Sequence, residues 1–415
     1  MSVERKNVGL KDCWNVSSLI SSFDEWNRKF ELMRPKEPKN GLLWPEINSY
    51  RGRLHEGPGV LKECLEKMLT LSQELEKLYT YAHLRHDEEI TLDENKTAYD
   101  KVTSLLHDFQ KEMAWFEPEV LALPQTQLET YLNSPELRPF KFHLEKLIRL
   151  KPHVLSSEME ELMALSGKAL QASHKAFRAI SDADFNFGKV EDGSGQLQEL
   201  THGSFSVFLR STDRILRENA FKQMYKTYSQ YENTLCELLN GQVQAHLFQA
   251  KSRGYASCLE AALFPKNIDT SVYHALIEAV HKKIGALHKY IALRKKLLKV
   301  DELHLYDMYV PLVPNLDLKI PYEKAEEFVI ESAAPLGKKY QEILSKGLRE
   351  EGWVDRYENK NKRSGAYSSG CYGSHPFILM NYKDLLRDVF TLAHEAGHSM
   401  HSYLSRSSQP YHYAD

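Results

Sequence analysis

The sequence predicts an all-α (mainly α) protein. Three observations carry that prediction. Apolar residues recur at three- and four-residue steps through most of the chain, capping residues and prolines punctuate those runs at helical lengths, and only two short stretches have the texture of strands. At 415 residues the chain can bury a large core and divide into two or three lobes.

The first strong run places Leu61, Cys64, Leu65, Met68, Leu75, Leu78, Tyr79 and Ala82 on one helical face, with Pro58-Gly59 just ahead of it. A second places Tyr99, Val102, Leu106, Phe109, Met113 and Phe116 together and ends near Pro118. A third is expected to start at Ser157, where Ser157-x-x-Glu160 reads as a capping box. Residues 1–184 are therefore expected to form a helical N-terminal lobe. Over 185–209 the texture changes to alternating apolar residues split by Gly193-Ser194-Gly195, which predicts a small hairpin or meander and marks the expected boundary. Helical periodicity returns over 213–249 and 270–298, breaks at Pro311, Pro314 and Pro321, and resumes over 322–348. Small residues over 364–373 then lead into Pro376-Phe377-Ile378-Leu379-Met380, a short strand. Asp384 is the expected N-cap of a last helix over 385–404, within a catalytic segment expected to span 210–415.

Bulk properties narrow the function. The formal net charge of −3 gives no electrostatic case for nucleic acid as the partner. No apolar run is long enough to cross a bilayer, and MSVERKNVGL lacks the apolar core of a secretory signal, so a cytoplasmic protein is expected. The cysteines Cys13, Cys64, Cys236, Cys258 and Cys371 are isolated and show no CxxC spacing, which points to free thiols in a reducing compartment. Nothing in the sequence fixes an oligomeric state.

The stretch HEAGHSMH, residues 394–401, carries the chemistry. Residues four apart on a helix stand on one face, about 6 Å apart along the axis, so His394 and His398 can meet at one small cation. Neutral imidazole suits zinc, which acidifies a bound water and polarises a carbonyl. Glu395 leaves the helix beside His394, placed to hold that water and take its proton rather than to bind metal. His401 shares the face but stands about 10 Å further along the axis than His394, so it reads as a residue supporting the site from outside the metal's own ligands. A catalytic zinc site takes three protein ligands, and the spacing leaves the third unassigned, with His412 and Asp415 the candidates after the helix. The bland alternative is a helix carrying two histidines on a polar face.

HEAGHSMH fits the HExGHxxH pattern of the thimet-oligopeptidase-like zinc peptidases, and the chain most resembles their oligoendopeptidase F branch. LLNGQVQAHLFQAKSRGYASCLEAALFP (238–265), LRKKLLKVDELHLYDMYVPLV (293–313), KRSGAYSSGCYGSHPFILMNY (362–382) and SRSSQPYHYAD (405–415) carry the resemblance further. It covers nearly the whole chain. The resemblance implies a two-lobed helical peptidase with a deep channel that admits oligopeptides, and a small sheet beside the zinc helix. It implies that His394 and His398 are zinc ligands, that Glu395 is the general base, and that zinc is the cofactor. It also implies that the strand Phe377, Ile378, Leu379, Met380 and Asn381 lies along the substrate backbone by strand addition. In that family the third ligand is a glutamate on a later helix, a position past Asp415. The chain is therefore expected to be a truncated form that holds zinc weakly and turns over little peptide.

Two other classes compete. A truncated helical scaffold would bind peptide without cleaving it and would be indifferent to chelators. A di-iron carboxylate bundle would use Glu395-x-x-His398 with Glu278-x-x-His281, but it leaves His394 idle, and Lys282 and Lys283 beside the second pair suggest a solvated face. His83 and His86 read as ordinary helix histidines and Cys371 as a bystander. Lys360, Lys362 and Arg363 read as a solvated basic cluster that can meet a peptide carboxylate.

Overall fold

The computed structural model describes residues 3–34, 41–313 and 319–414. The expected break at Pro314 lies outside them. Among the described residues the chain is mainly helical, with a two-stranded and a three-stranded sheet. It forms two compact units, Ile148–Leu316 and Met1–Leu147 together with Asp317–Asp415.

In the unit Ile148–Leu316, the helix Ser157–Leu170 is capped by Ser156, whose hydroxyl accepts the Met159 N–H. The cap is thus one residue earlier than expected, and the Glu160 carboxylate reaches back to the Leu155 N–H. Strands β1 (Lys189–Glu191) and β2 (Leu197–Glu199) pair antiparallel with Val190 opposite Gln198. Asp192 closes the turn by accepting the N–H groups of Ser194 and Gln196. The remainder of the expected meander is instead the helix His202–Phe208. Thr201 and Ser204 form a reciprocal capping box there, and this local bonding overrides the apolar alternation. The hairpin lies within this unit, where Val190, Leu200, Phe208, Leu216, Ala220 and Met224 share a core.

Asp213 caps the helix Arg214–Gln230 through the N–H groups of Ile215 and Leu216. Tyr231 then separates it from the helix Glu232–Ser252, so the run expected over 213–249 is two helices. Asp269 caps Thr270–Leu298, which matches the expected 270–298. Its arginine Arg294 is buried and donates to the carbonyls of Asp307 and Val310. The Asp307 carboxylate, fully buried, receives Arg214 and Arg217.

In the other unit, Pro58 opens the helix Pro58–Glu88, which buries Leu61, Cys64, Leu65, Leu75, Leu78, Tyr81, Ala82 and Leu84 and packs against Asp93–Met113. The run expected over 322–348 is broken in two, Tyr322–Ser332 and Lys338–Arg349, at Pro335 and Gly337 (φ +96°). The chain then turns through Gly352 (φ +66°) and lays the Trp353 indole on Gly347.

Strands β3 (Val354–Asp355), β4 (Tyr367–Ser369) and β5 (Phe377–Leu379) form a sheet in the order β3-β5-β4. Strand β5 runs parallel to β3, with Ile378 opposite Val354, and antiparallel to β4, with Ile378 opposite Ser368. Side chains alternate across a strand. One face therefore carries Val354, Ile378 and Ser368, and the other Asp355, Phe377, Leu379 and Tyr367. The first face meets the motif helix, Leu386–Ser408, in a core of Val354, Ile378, Met380, Val389, Leu392, Ala396 and Met400. The second meets Trp14, edge-on to Phe377, and Asp87 of the long helix, which accepts the Tyr367 hydroxyl.

Asp384 does not cap the motif helix. It sits at φ +59°, and the Asp388 carboxylate accepts the N–H groups of Lys383 and Leu385 instead.

Candidate metal and catalytic site

The motif helix is anchored by one face and leaves the other open. Leu392, Ala396 and Met400 are buried, one turn apart, which fixes the helix roll on the sheet. The opposite face then carries His394, His398 and His401 outward, and all three are exposed.

His394 and His398 turn their rings toward each other, with the two Nε2 atoms 3.1 Å apart. Two imidazole nitrogens each about 2.05 Å from one ion and 3.1 Å from each other subtend an angle of about 98° there, inside the range of a distorted tetrahedron. The donor set thus fits a divalent ion of zinc's size and softness. Among the described residues no hydrogen bond or ring contact joins His401 to this pair. Among the described residues no group of three or more His, Cys, Asp or Glu side chains is arranged to hold a metal ion. His412 is engaged elsewhere, on the Pro139 carbonyl at 3.0 Å, and Asp415 lies outside the described residues.

Glu395 occupies the flank between the open face and the core and is 9% exposed. Its carboxylate makes no hydrogen bond or ion pair among the described residues, so its oxygens are available to a water. Ser399, one turn on and on the same flank, bonds Ser368 of β4 at 2.8 Å. The edge strand of the sheet therefore runs beside the flank that carries Glu395.

The structure corrects the expected substrate strand. Phe377, Ile378, Leu379 and Met380 are buried, and β5 is the central strand, paired on both edges, so its backbone has no group left for a substrate. Asn381 donates to the carbonyls of Arg363 and Gly365 and so fixes the loop entering β4. The exposed edge belongs to β4. The N–H groups of Ile378 and Met380 go to β3's side, so Phe377 and Leu379 face β4 and bond Ser369 and Tyr367. That alternation turns the N–H and C=O of Ser368 outward, where no backbone partner meets them among the described residues.

Two features escaped sequence reasoning. Asp87, 1% exposed, gathers His83, His86, Arg363 and Tyr367 within 3.1 Å. Burial pushes its carboxyl up, but the bond to His83 and its charge, then Tyr367 and His86, outweigh burial and hold it at about 2. Lys362 is fully buried on Asp355 at 2.6 Å and is not part of a solvated cluster. The second ExxH pair behaves as a solvated face, with the Glu278 side chain 68% exposed beside Lys282.

Residues 207–415 match the profile of peptidase family M3, and residues 119–187 match that of oligopeptidase F. The chain belongs to peptidase family M3. Within that family it is 39% identical to the oligopeptidase PepF of Bacillus subtilis over 99% of its own length, and it is 34% identical to the group B oligopeptidase PepB of Streptococcus agalactiae over its full length. The match spans 60% of PepF and 68% of PepB. A solved structure from Chlamydophila abortus superposes with a TM-score of 0.91 at 38% identity, covering this M3 chain fully and 69% of that chain. The oligoendopeptidase F of Enterococcus faecium superposes with a TM-score of 0.59 at 30% identity, covering 93% and 63%. The M3 family is zinc-dependent in general, which accords with the paired imidazoles. Among the described residues no helix is long and apolar enough to cross a membrane.

Proposed function

We propose that this chain carries the HExxH motif of a zinc-dependent endopeptidase acting on oligopeptides. The observation that supports this most directly is the His394–His398 pair at 3.1 Å with the unpartnered Glu395 carboxylate beside it. His394 and His398 would hold the ion through Nε2. When bound, zinc supplies a Lewis acid for water and for the scissile carbonyl. Glu395 would hold a water against that carbonyl, accept its proton on a carboxylate oxygen as the C–O bond forms, and pass the proton to the amine as the C–N bond breaks. The outward N–H and C=O of Ser368 would pair with the substrate backbone, a mode that tolerates many sequences. Membership of M3 and the oligopeptidase names of the relatives support the substrate class.

Glu395→Gln tests the reading, because it keeps the shape of the side chain and removes the base. Cleavage of an internally quenched oligopeptide should fall by about 10²- to 10⁴-fold, with zinc content unchanged. Measurable turnover by the parent that is matched by the variant would contradict the role given to Glu395.

A further inference from the structure

The loop that feeds β4 holds a guanidinium that the peptidase reading leaves without a use. Of the three clustered basic residues, Lys360 pairs with Glu4 and Lys362 is buried on Asp355. Arg363, like Lys360, has a side chain 53% exposed, but it lies on the loop that runs into β4. It is nevertheless tightly held. Its main-chain N–H donates to the Asp87 carbonyl at 3.0 Å, and its Nη1 donates to the Asp87 carboxylate at 3.1 Å. The guanidinium carbon lies 5.6 Å from the centre of the Tyr367 ring, whose hydroxyl also donates to Asp87. The Nε–H and both Nη2–H groups make no hydrogen bond among the described residues.

We propose that Arg363 is a specificity-determining residue that takes a carboxylate of the bound peptide. The inference rests on the reading of β4 as the peptide-accepting edge. A strand laid on that edge puts alternate side chains on the two faces of the sheet. The residue opposite Ser368 points toward the motif helix. Its neighbours point to the face of Tyr367, where opposed Cβ atoms stand about 5 Å apart. An Asp or Glu there, or the C-terminal carboxylate of a peptide ending there, reaches the guanidinium side-on, with one oxygen on Nε–H and the other on Nη2–H. Asp87 already holds Nη1, so little freedom is lost when the fork closes on its ligand. The subsite therefore favours peptides carrying a carboxylate at one register position and disfavours lysine there.

The test uses the 415-residue chain and fluorescein-labelled nonapeptides. Asp, Asn and Lys are scanned through each position, with the C-terminus free or amidated, and binding is read by anisotropy. The parent should bind one positional Asp peptide about tenfold tighter than its Asn counterpart, or show a similar loss on amidation, which identifies the terminal carboxylate as the source. Arg363→Gln should erase the preference. Arg363→Glu should reverse it toward Lys. Thermal unfolding of both variants is followed alongside, and Arg363→Gln, which keeps the main-chain bond to Asp87, carries the test if Arg363→Glu fails to fold. Peptide binding with no carboxylate preference, or a preference unchanged in Arg363→Gln, overturns the subsite while leaving the edge reading intact. Failure of the parent to bind any peptide overturns the edge reading and the subsite with it.

Discussion

Replacing Lys362 by methionine should unfasten the sheet on which the motif helix rests. The Lys362 ammonium is fully buried, forms an ion pair with the Asp355 carboxylate at 2.6 Å and donates to the carbonyls of Tyr357 at 2.6 Å, Met380 at 2.7 Å and Asp355 at 3.2 Å. Those acceptors belong to β3, the loop after it and the end of β5, so one side chain ties together two strands and their exit. Burial pushes the ammonium's pKa down, and Asp355 pulls it back. Methionine has a similar reach but no charge, which leaves the Asp355 carboxylate and three carbonyls short of a donor. Removing one partner of a buried ion pair costs about 3–5 kcal/mol. Arg5 still grips Asp355 with two bonds, at 2.9 and 2.5 Å, so the lower end of that range, about 3 kcal/mol, is expected. Urea unfolding followed by tryptophan fluorescence suits the purpose, because Trp14 and Trp353 lie against this sheet. A loss below about 1 kcal/mol, at an unchanged urea dependence, would show that the pair is not holding the sheet and would refute the reasoning.

Two further outcomes are expected. A Cβ on Gly347 would lie 2.3 Å from the Trp353 ring, and the steric cost of about 1–3 kcal/mol should exceed the roughly 1 kcal/mol that alanine gains in a helix. Gly347→Ala should therefore lower the unfolding midpoint, and a raised midpoint would contradict the packing. Asp87 has a folded pKa of about 2, below the ordinary carboxylate value, so the stability it contributes is present above about pH 4 and is lost as pH falls toward 2. Its contribution is about 2 kcal/mol, so Asp87→Asn should flatten the acid side of the stability curve. Identical acid profiles for variant and parent would remove Asp87 from that role.

Much of this was legible because its causes are local. The helical run over 270–298, the stripe from Leu61 to Ala82 and the four-residue spacing of His394 and His398 are short-range features, and the helices that carry them are present. The errors were of two kinds. Some were contests between local signals, as at Thr201, where a capping box prevailed over alternation. Others concerned pairing across the chain. Phe377-Ile378-Leu379-Met380 is a continuous apolar run, the pattern of a strand buried on both faces, and that signal argued for a central strand rather than a substrate-facing edge. The Asp87 cluster offered no such signal. His83 and His86 lie beside it on the helix, but Arg363 arrives from a loop and Tyr367 from β4, both distant in sequence.

In the proposed site His394 and His398 together hold one ion, with Glu395 and His401 outside its ligand set. The most direct measurement is zinc binding by calorimetry to the 415-residue chain and to its single variants. Binding should be abolished in His394→Ala and in His398→Ala, and should persist in Glu395→Gln and His401→Ala. Zinc held equally well without His394 and His398, or lost with His401 alone, would contradict the account.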